Sequence, residues 1–134
     1  MAIESIVYLT VEEAITLHIL LMRTWEEVHF GIDRKDVLES ALNRPKHSAT
    51  YEKADLVRQS ATLCFGLIKN HPWLGGNKRT VTFLMEVFLE MNDHSLLTPD
   101  KSIVDMALLV ESDSWNVDEI EKWLRPAIEK IHNA

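Results

Sequence analysis

One cysteine in 134 residues leaves no internal disulfide, and Cys64 lies in the apolar run ATLCFGLI, so it reads as an inert buried thiol in a reducing compartment. Long apolar runs are missing too. None approaches the roughly 18 to 20 residues of a spanning helix, and no basic leader opens the chain, so a soluble cytoplasmic protein without membrane contact is expected. Basic residues are few, 14 Lys and Arg against 21 Asp and Glu for a net charge of −7. That balance argues against the broad basic surface that displaces counterions from phosphates, and no direct DNA binding is expected. Repeats, low-complexity tracts and linkers are absent, as is any convincing pair of strands. A chain of this length buries roughly 65 to 70% of its unfolded surface around one core, which predicts a single domain over residues 1–134.

What is present is helical periodicity. Thr10 and Glu13 form a capping-box pair, and Ala14, Ile15, Leu17, His18, Leu21, Met22, Trp25 and Val28 follow at a period near 3.6, predicting a helix over about 11–29. Asp33 is positioned to cap a second helix that should stop at Arg44, because the residue before Pro45 is pushed out of the helical region. Residues 45–53 then read as a loop. A third helix is predicted from Ala54 to Asn70, with Gly66 as a weak point, and a fourth over about 78–92, apolar enough to be the most buried. Thr98 followed by Pro99 starts a fifth, ending near Glu111. Asn116 opens the last, which carries Ile120, Trp123, Leu124, Ile128 and Ile131 and is kinked or divided by Pro126. The fold class is all-α: a compact single-domain bundle of about six helices.

The stretch HPWLGGNKRT at 71–80 stands apart from this pattern. Gly75 and Gly76 permit positive φ and close approach of a ligand, Asn77 is a good N-cap, and Lys78, Arg79 and Thr80 fill a first helical turn. Cations there oppose the helix dipole, so a bound anion would account for two of them together. Lys69, Lys78 and Arg79 also leave residues 59–80 without an acid, while the rest of the chain holds 21 acidic and 11 basic residues. The competing reading is surface cations behind a glycine turn. A Walker loop does not fit, because no glycine sits five residues before Gly76 and a helix precedes the loop. His18, on a helical face beside Leu17 and Leu21, reads as a core or partner contact.

HPWLGGNKRT resembles the active-site loop of the Fic/Doc family, H-x-F-x-[D/E/N]-[A/G]-N-[G/K]-R. LTVEEAITLH, FGIDRKDVLESALNRP, SATLCFGLIKNH, FLEMND and WLRP resemble the death-on-curing (Doc) branch. Lysine at position 78 is the letter of that branch, where AMP-transferring relatives carry glycine. The resemblance implies a toxin that moves phosphate from ATP to a hydroxyl of a translation factor, elongation factor Tu being the family's target, under control of an antitoxin that folds on the toxin. The amphipathic stretch Leu9 to Phe30 offers such an antitoxin a surface. His71 would be the general base. Gly75, Gly76, Asn77, Lys78 and Arg79 would hold the nucleotide phosphates, and Trp73 would anchor the loop.

Two positions depart from the pattern. Trp73 replaces phenylalanine, which a roomy pocket tolerates. Gly75 replaces the acidic residue or asparagine that reaches Mg²⁺, so the metal ligand is unknown, and Gly75→Asp is expected to restore a carboxylate. A non-catalytic relative that binds nucleotide or a partner protein, and AMP transfer to a protein hydroxyl, are the alternative readings.

Overall fold

The computed structural model describes residues 5–131. Among them are six α-helices: α1 (Val11–Thr24), α2 (Lys35–Glu52), α3 (Leu56–Asn70), α4 (Asn77–Met91), α5 (Asp100–Glu111) and α6 (Val117–Leu124). A 3-10 turn, Arg125–Ala127, follows α6. Two three-residue strands, β1 (His94–Leu96) and β2 (Ile128–Lys130), pair antiparallel with His94 opposite Lys130 and Leu96 opposite Ile128. The all-α expectation holds apart from this ribbon, which is too short to display the period-2 alternation by which strands are read. Pro126 does divide the last element, but β2 replaces the helix expected beyond it, and Ile131 is exposed after the strand.

The capping box of α1 forms as its spacing dictates: Glu13 N–H donates to Thr10 Oγ1 at 3.1 Å and Thr10 N–H to Glu13 Oε1 at 3.0 Å. The helix ends at Thr24, short of the expected 29, because Glu26 turns left-handed at φ 54°. Trp25 and Val28, whose spacing continued the period, are exposed at 57% and 83%. Residues 25–31 leave the helix axis and cross to the 71–76 loop.

The second helix corrects two expectations. Arg34, not Asp33, is the N-cap, and α2 runs through Pro45 to Glu52, so 45–53 is not a loop. Proline forfeits one ladder hydrogen bond, yet Leu38, Ala41, Leu42, Pro45 and Ser48 keep a continuous buried stripe against α3. That packing outweighs the local bias. Gly66 serves the same contact, since a Cβ there would lie 3.0 Å from Arg44 Cδ and 3.4 Å from Ala41 Cβ. Ten of the fifteen α3 residues are buried, against six of fifteen in α4, so α3 rather than α4 is the central helix. Phe88, Met22, Leu38, Leu63 and Leu67 are among the largest side chains fully enclosed in the core. α5 begins at Asp100 with Pro99 as N-cap, one residue later than Thr98 implied. No helix among the described residues is long and apolar enough to cross a membrane.

Candidate active site at the start of helix α4

α3 ends where His71 turns left-handed at φ 45°, and the chain then runs antiparallel to residues 31–34. The Pro72 carbonyl accepts from Asp33 N–H at 2.8 Å and Arg34 N–H at 3.2 Å, and Leu74 N–H donates to the Gly31 carbonyl at 2.9 Å. Trp73 is buried and stacks on His18, ring centroids 4.3 Å apart and 15° from parallel. It anchors the loop, although its indole N–H has no hydrogen-bond partner among the described residues. Phenylalanine would have no such donor to bury, so the larger ring fills the space at a cost of about 1 to 3 kcal/mol.

His18 is fully buried and joins three segments. Its Nε2 accepts from Gly31 N–H at 3.0 Å, which leaves the proton on Nδ1, 2.8 Å from Thr80 Oγ1. The core reading of this histidine therefore gains a purpose: it clamps α1, the 25–31 segment and α4 around the loop. Burial lowers its pKa below the usual histidine value. The unfolded chain then binds the extra proton more readily, so His18 contributes stability above about pH 6.5 that is lost as pH falls through the lower folded value. Thermal melts between pH 7.5 and 5 should show this loss. His18→Gln, which takes up no proton in that range, should flatten the slope attributable to this site. An unchanged slope would mean other groups carry it.

Of the two glycines, only Gly76 needs a left-handed backbone, φ 64° and ψ 28°. It is the N-cap of α4, the place expected for Asn77. Having no side chain, it leaves the first-turn amides uncapped. Asn77 sits one residue inside the helix and reaches back to Trp73, accepting from its N–H at 3.2 Å and donating to its carbonyl at 2.9 Å. Its amide side chain is committed to the loop. Gly75 has no left-handed φ. A Cβ on it would stand 2.5 Å from the His29 carbonyl oxygen, so close approach is what calls for glycine.

Lys78 and Arg79 point into a cleft of about 690 Å³ between α4, α5 and the 25–31 segment, and His71 stands exposed at its edge. Each cation has an acidic neighbour: Lys78 Nζ lies 3.0 Å from Glu111, and Arg79 lies 3.1 Å from Glu27 with its guanidinium 4.3 Å above the Trp25 ring. Side chains in both pairs are 36% to 43% exposed. Such pairs contribute about 0 to 1 kcal/mol, little enough for a phosphate to displace. Thr82 and Glu86 continue the α4 wall, and Asp100, Ile103, Val104 and Ala107 form the α5 wall. Burial raises the Glu86 carboxyl above the usual range, with Glu90 and Asp100 adding to the effect. The cleft holds two cation–carboxylate pairs at the α4 start and the carboxyl groups of Glu86 and Asp100 farther along.

Of the residues the sequence points to, His71, Gly76, Asn77, Lys78 and Arg79 line one cleft, while Trp73 is buried against His18 and Gly75 lies against the His29 carbonyl. Trp25, Glu27, Glu86, Asp100 and Glu111 were not singled out. Glu27 and Glu111 lie far from the loop in sequence, and nothing local marks them. Magnesium, which the resemblance implies, does not fit the donors present. Position 75 supplies no side-chain oxygen, the Asn77 side chain is engaged, and no cluster of three His, Cys, Asp or Glu suited to a metal occurs among the described residues. Cys64 is enclosed and burial pushes its thiol up to about 12, which makes it a packing residue.

Comparison with curated proteins gives no match. The profile of the Fic/DOC family matches residues 8–89, from just before α1 almost to the end of α4, and so contains His71, the glycine turn and both cations. That span covers more than half of the sequence, and with the six-helix fold it establishes that the chain belongs to the Fic/DOC family.

Proposed function

We propose that this chain is a Doc-branch toxin that transfers the γ-phosphate of ATP to a side-chain hydroxyl of a translation factor such as elongation factor Tu, in the cytoplasm, under control of an antitoxin. The observation that carries the proposal is the uncapped α4 N-terminus at Gly76, where Lys78 and Arg79 open on the cleft that His71 also lines. Family membership supports group transfer from a nucleotide, and the lysine at position 78, through its resemblance to the Doc branch, favours phosphate over AMP. Main-chain N–H groups and the positive end of the helix dipole favour an anion at this point by up to ~2 kcal/mol. Lys78 supplies a point charge and Arg79 a planar fork suited to phosphate oxygens.

In this reading His71 takes the proton of the target hydroxyl as its oxygen bonds to the γ-phosphorus. The bond from that phosphorus to the β-bridging oxygen breaks, and ADP leaves. Lys78, Arg79 and the α4 amides hold the charge that gathers on the moving group. No step is assigned to a protein-held metal, because the donors do not fit one. The missing side-chain oxygen at position 75 favours the second reading, a relative that binds nucleotide or a partner without catalysis.

Elongation factor Tu incubated with the protein and ATP labelled on either the γ- or the α-phosphate separates these. Label from the γ-position alone is the expected result. Label from the α-position would move the activity to AMP transfer, and ATP binding without transfer of either label would leave a binding module.

A further inference from the structure

Position 75 poses a question that conformation does not answer. Gly75 has an ordinary backbone, so a side chain is excluded there only by its surroundings, and the obstructing atom is the main-chain carbonyl oxygen of His29 at 2.5 Å. A carbonyl cannot swing aside as a side chain can. The segment bearing it is fastened at both ends, by Glu27 N–H to the Met22 carbonyl at 2.9 Å and by Gly31, whose N–H reaches His18 and whose carbonyl accepts from Leu74. Trp25 and Glu27, at the start of the same segment, reach Arg79.

We infer that Gly75 is the seat of the 25–31 segment rather than a lost metal ligand, and that the α4 anion site engages phosphate without any protein ligand to Mg²⁺. This rests on the reading of the α4 start as a phosphate site. The remaining carboxylates agree with it. Glu27 and Glu111 lie beside Arg79 and Lys78, cations whose charge disfavours a metal ion there even where phosphate loosens the pairs. Glu86 lies seven residues beyond Arg79, roughly 10 Å along the helix axis, and Asp100 stands near Glu86 on the facing wall, so both are out of reach of a cation bridging phosphates at the first turn. Neutralisation at that turn comes from two side-chain cations and the helix end.

The inference reverses the expectation for Gly75→Asp. The new carboxylate would not reach a metal without dislodging His29, and the 25–31 segment with it. Both Gly75→Ala and Gly75→Asp should lower the melting temperature and weaken ATP binding, because the first added carbon is the obstacle.

The test is calorimetric titration of ATP into the unmodified protein, once with excess Mg²⁺ and once with EDTA. Dissociation constants within about threefold of each other are expected, because the protein offers the metal nothing to hold. Binding weaker by about tenfold or more in EDTA would overturn the inference while leaving the phosphate site standing. Absence of binding in both conditions would remove the phosphate site itself, and the inference with it. Gly75→Asp with an unaltered melting temperature and an ATP affinity raised about tenfold by Mg²⁺ would overturn the seat. Failure of both variants to fold would agree with it, and the unmodified protein still carries the metal test.

Discussion

His71→Ala should lower transfer of the γ-phosphate to elongation factor Tu by roughly 10² to 10⁴-fold, the range that a positioned proton acceptor contributes. ATP affinity should stay close to that of the unmodified protein. The two expectations separate because His71 stands at the edge of the cleft, while the cations and uncapped amides occupy the α4 start. Its left-handed backbone belongs to the turn that ends α3, and its side chain is exposed, so alanine removes a base and little packing. Unimpaired transfer by His71→Ala would assign the proton to another group. Loss of both binding and transfer would make His71 part of the phosphate site.

Arg79→Ala should cost roughly 1.5 to 3 kcal/mol of ATP affinity, about a tenfold to 150-fold rise in Kd, as expected for charge-assisted hydrogen bonds to phosphate. The free protein already holds this guanidinium between Glu27 and the Trp25 ring. That arrangement is half exposed and cheap to rearrange, so it moderates the effect without cancelling it. Melting temperature should change little, since Arg79 is a surface side chain held by one exposed ion pair and one ring contact. Equal ATP affinity in the two proteins would favour the competing account, in which Arg79 and Lys78 are surface cations matched to Glu27 and Glu111.

Much of this molecule is legible in local sequence because local chemistry decides it. The Thr10–Glu13 box starts α1 where its spacing says, and the 3.6-residue period together with cap and proline signals identifies all six helices. The motif 71–79 is also local: a helix end, a left-handed glycine and a first turn bearing cations lie within nine residues. Departures occur where distant segments outvote neighbours. Pro45 stays helical because the face it continues is buried on α3, and α1 stops at Thr24 so that 25–31 can cross to the loop. Asn77 illustrates the same point within the motif. Its type predicts a cap, but with Gly76 turning the chain its side chain reaches Trp73 and locks the loop instead. Glu27 and Glu111, which decide how free the two cations are, arrive from the far end of the 25–31 crossing and from α5. Periodicity carries no information about such meetings.

The most direct measurement is the backbone amide spectrum of isotopically labelled protein during titration with ATP. If the α4 N-terminus is the phosphate site, the amides of Asn77, Lys78 and Arg79 should shift most, saturate together and share one dissociation constant, with Arg79→Ala weakening that constant. Saturable ATP binding that leaves those three amides unmoved, or no binding at all, would contradict the account.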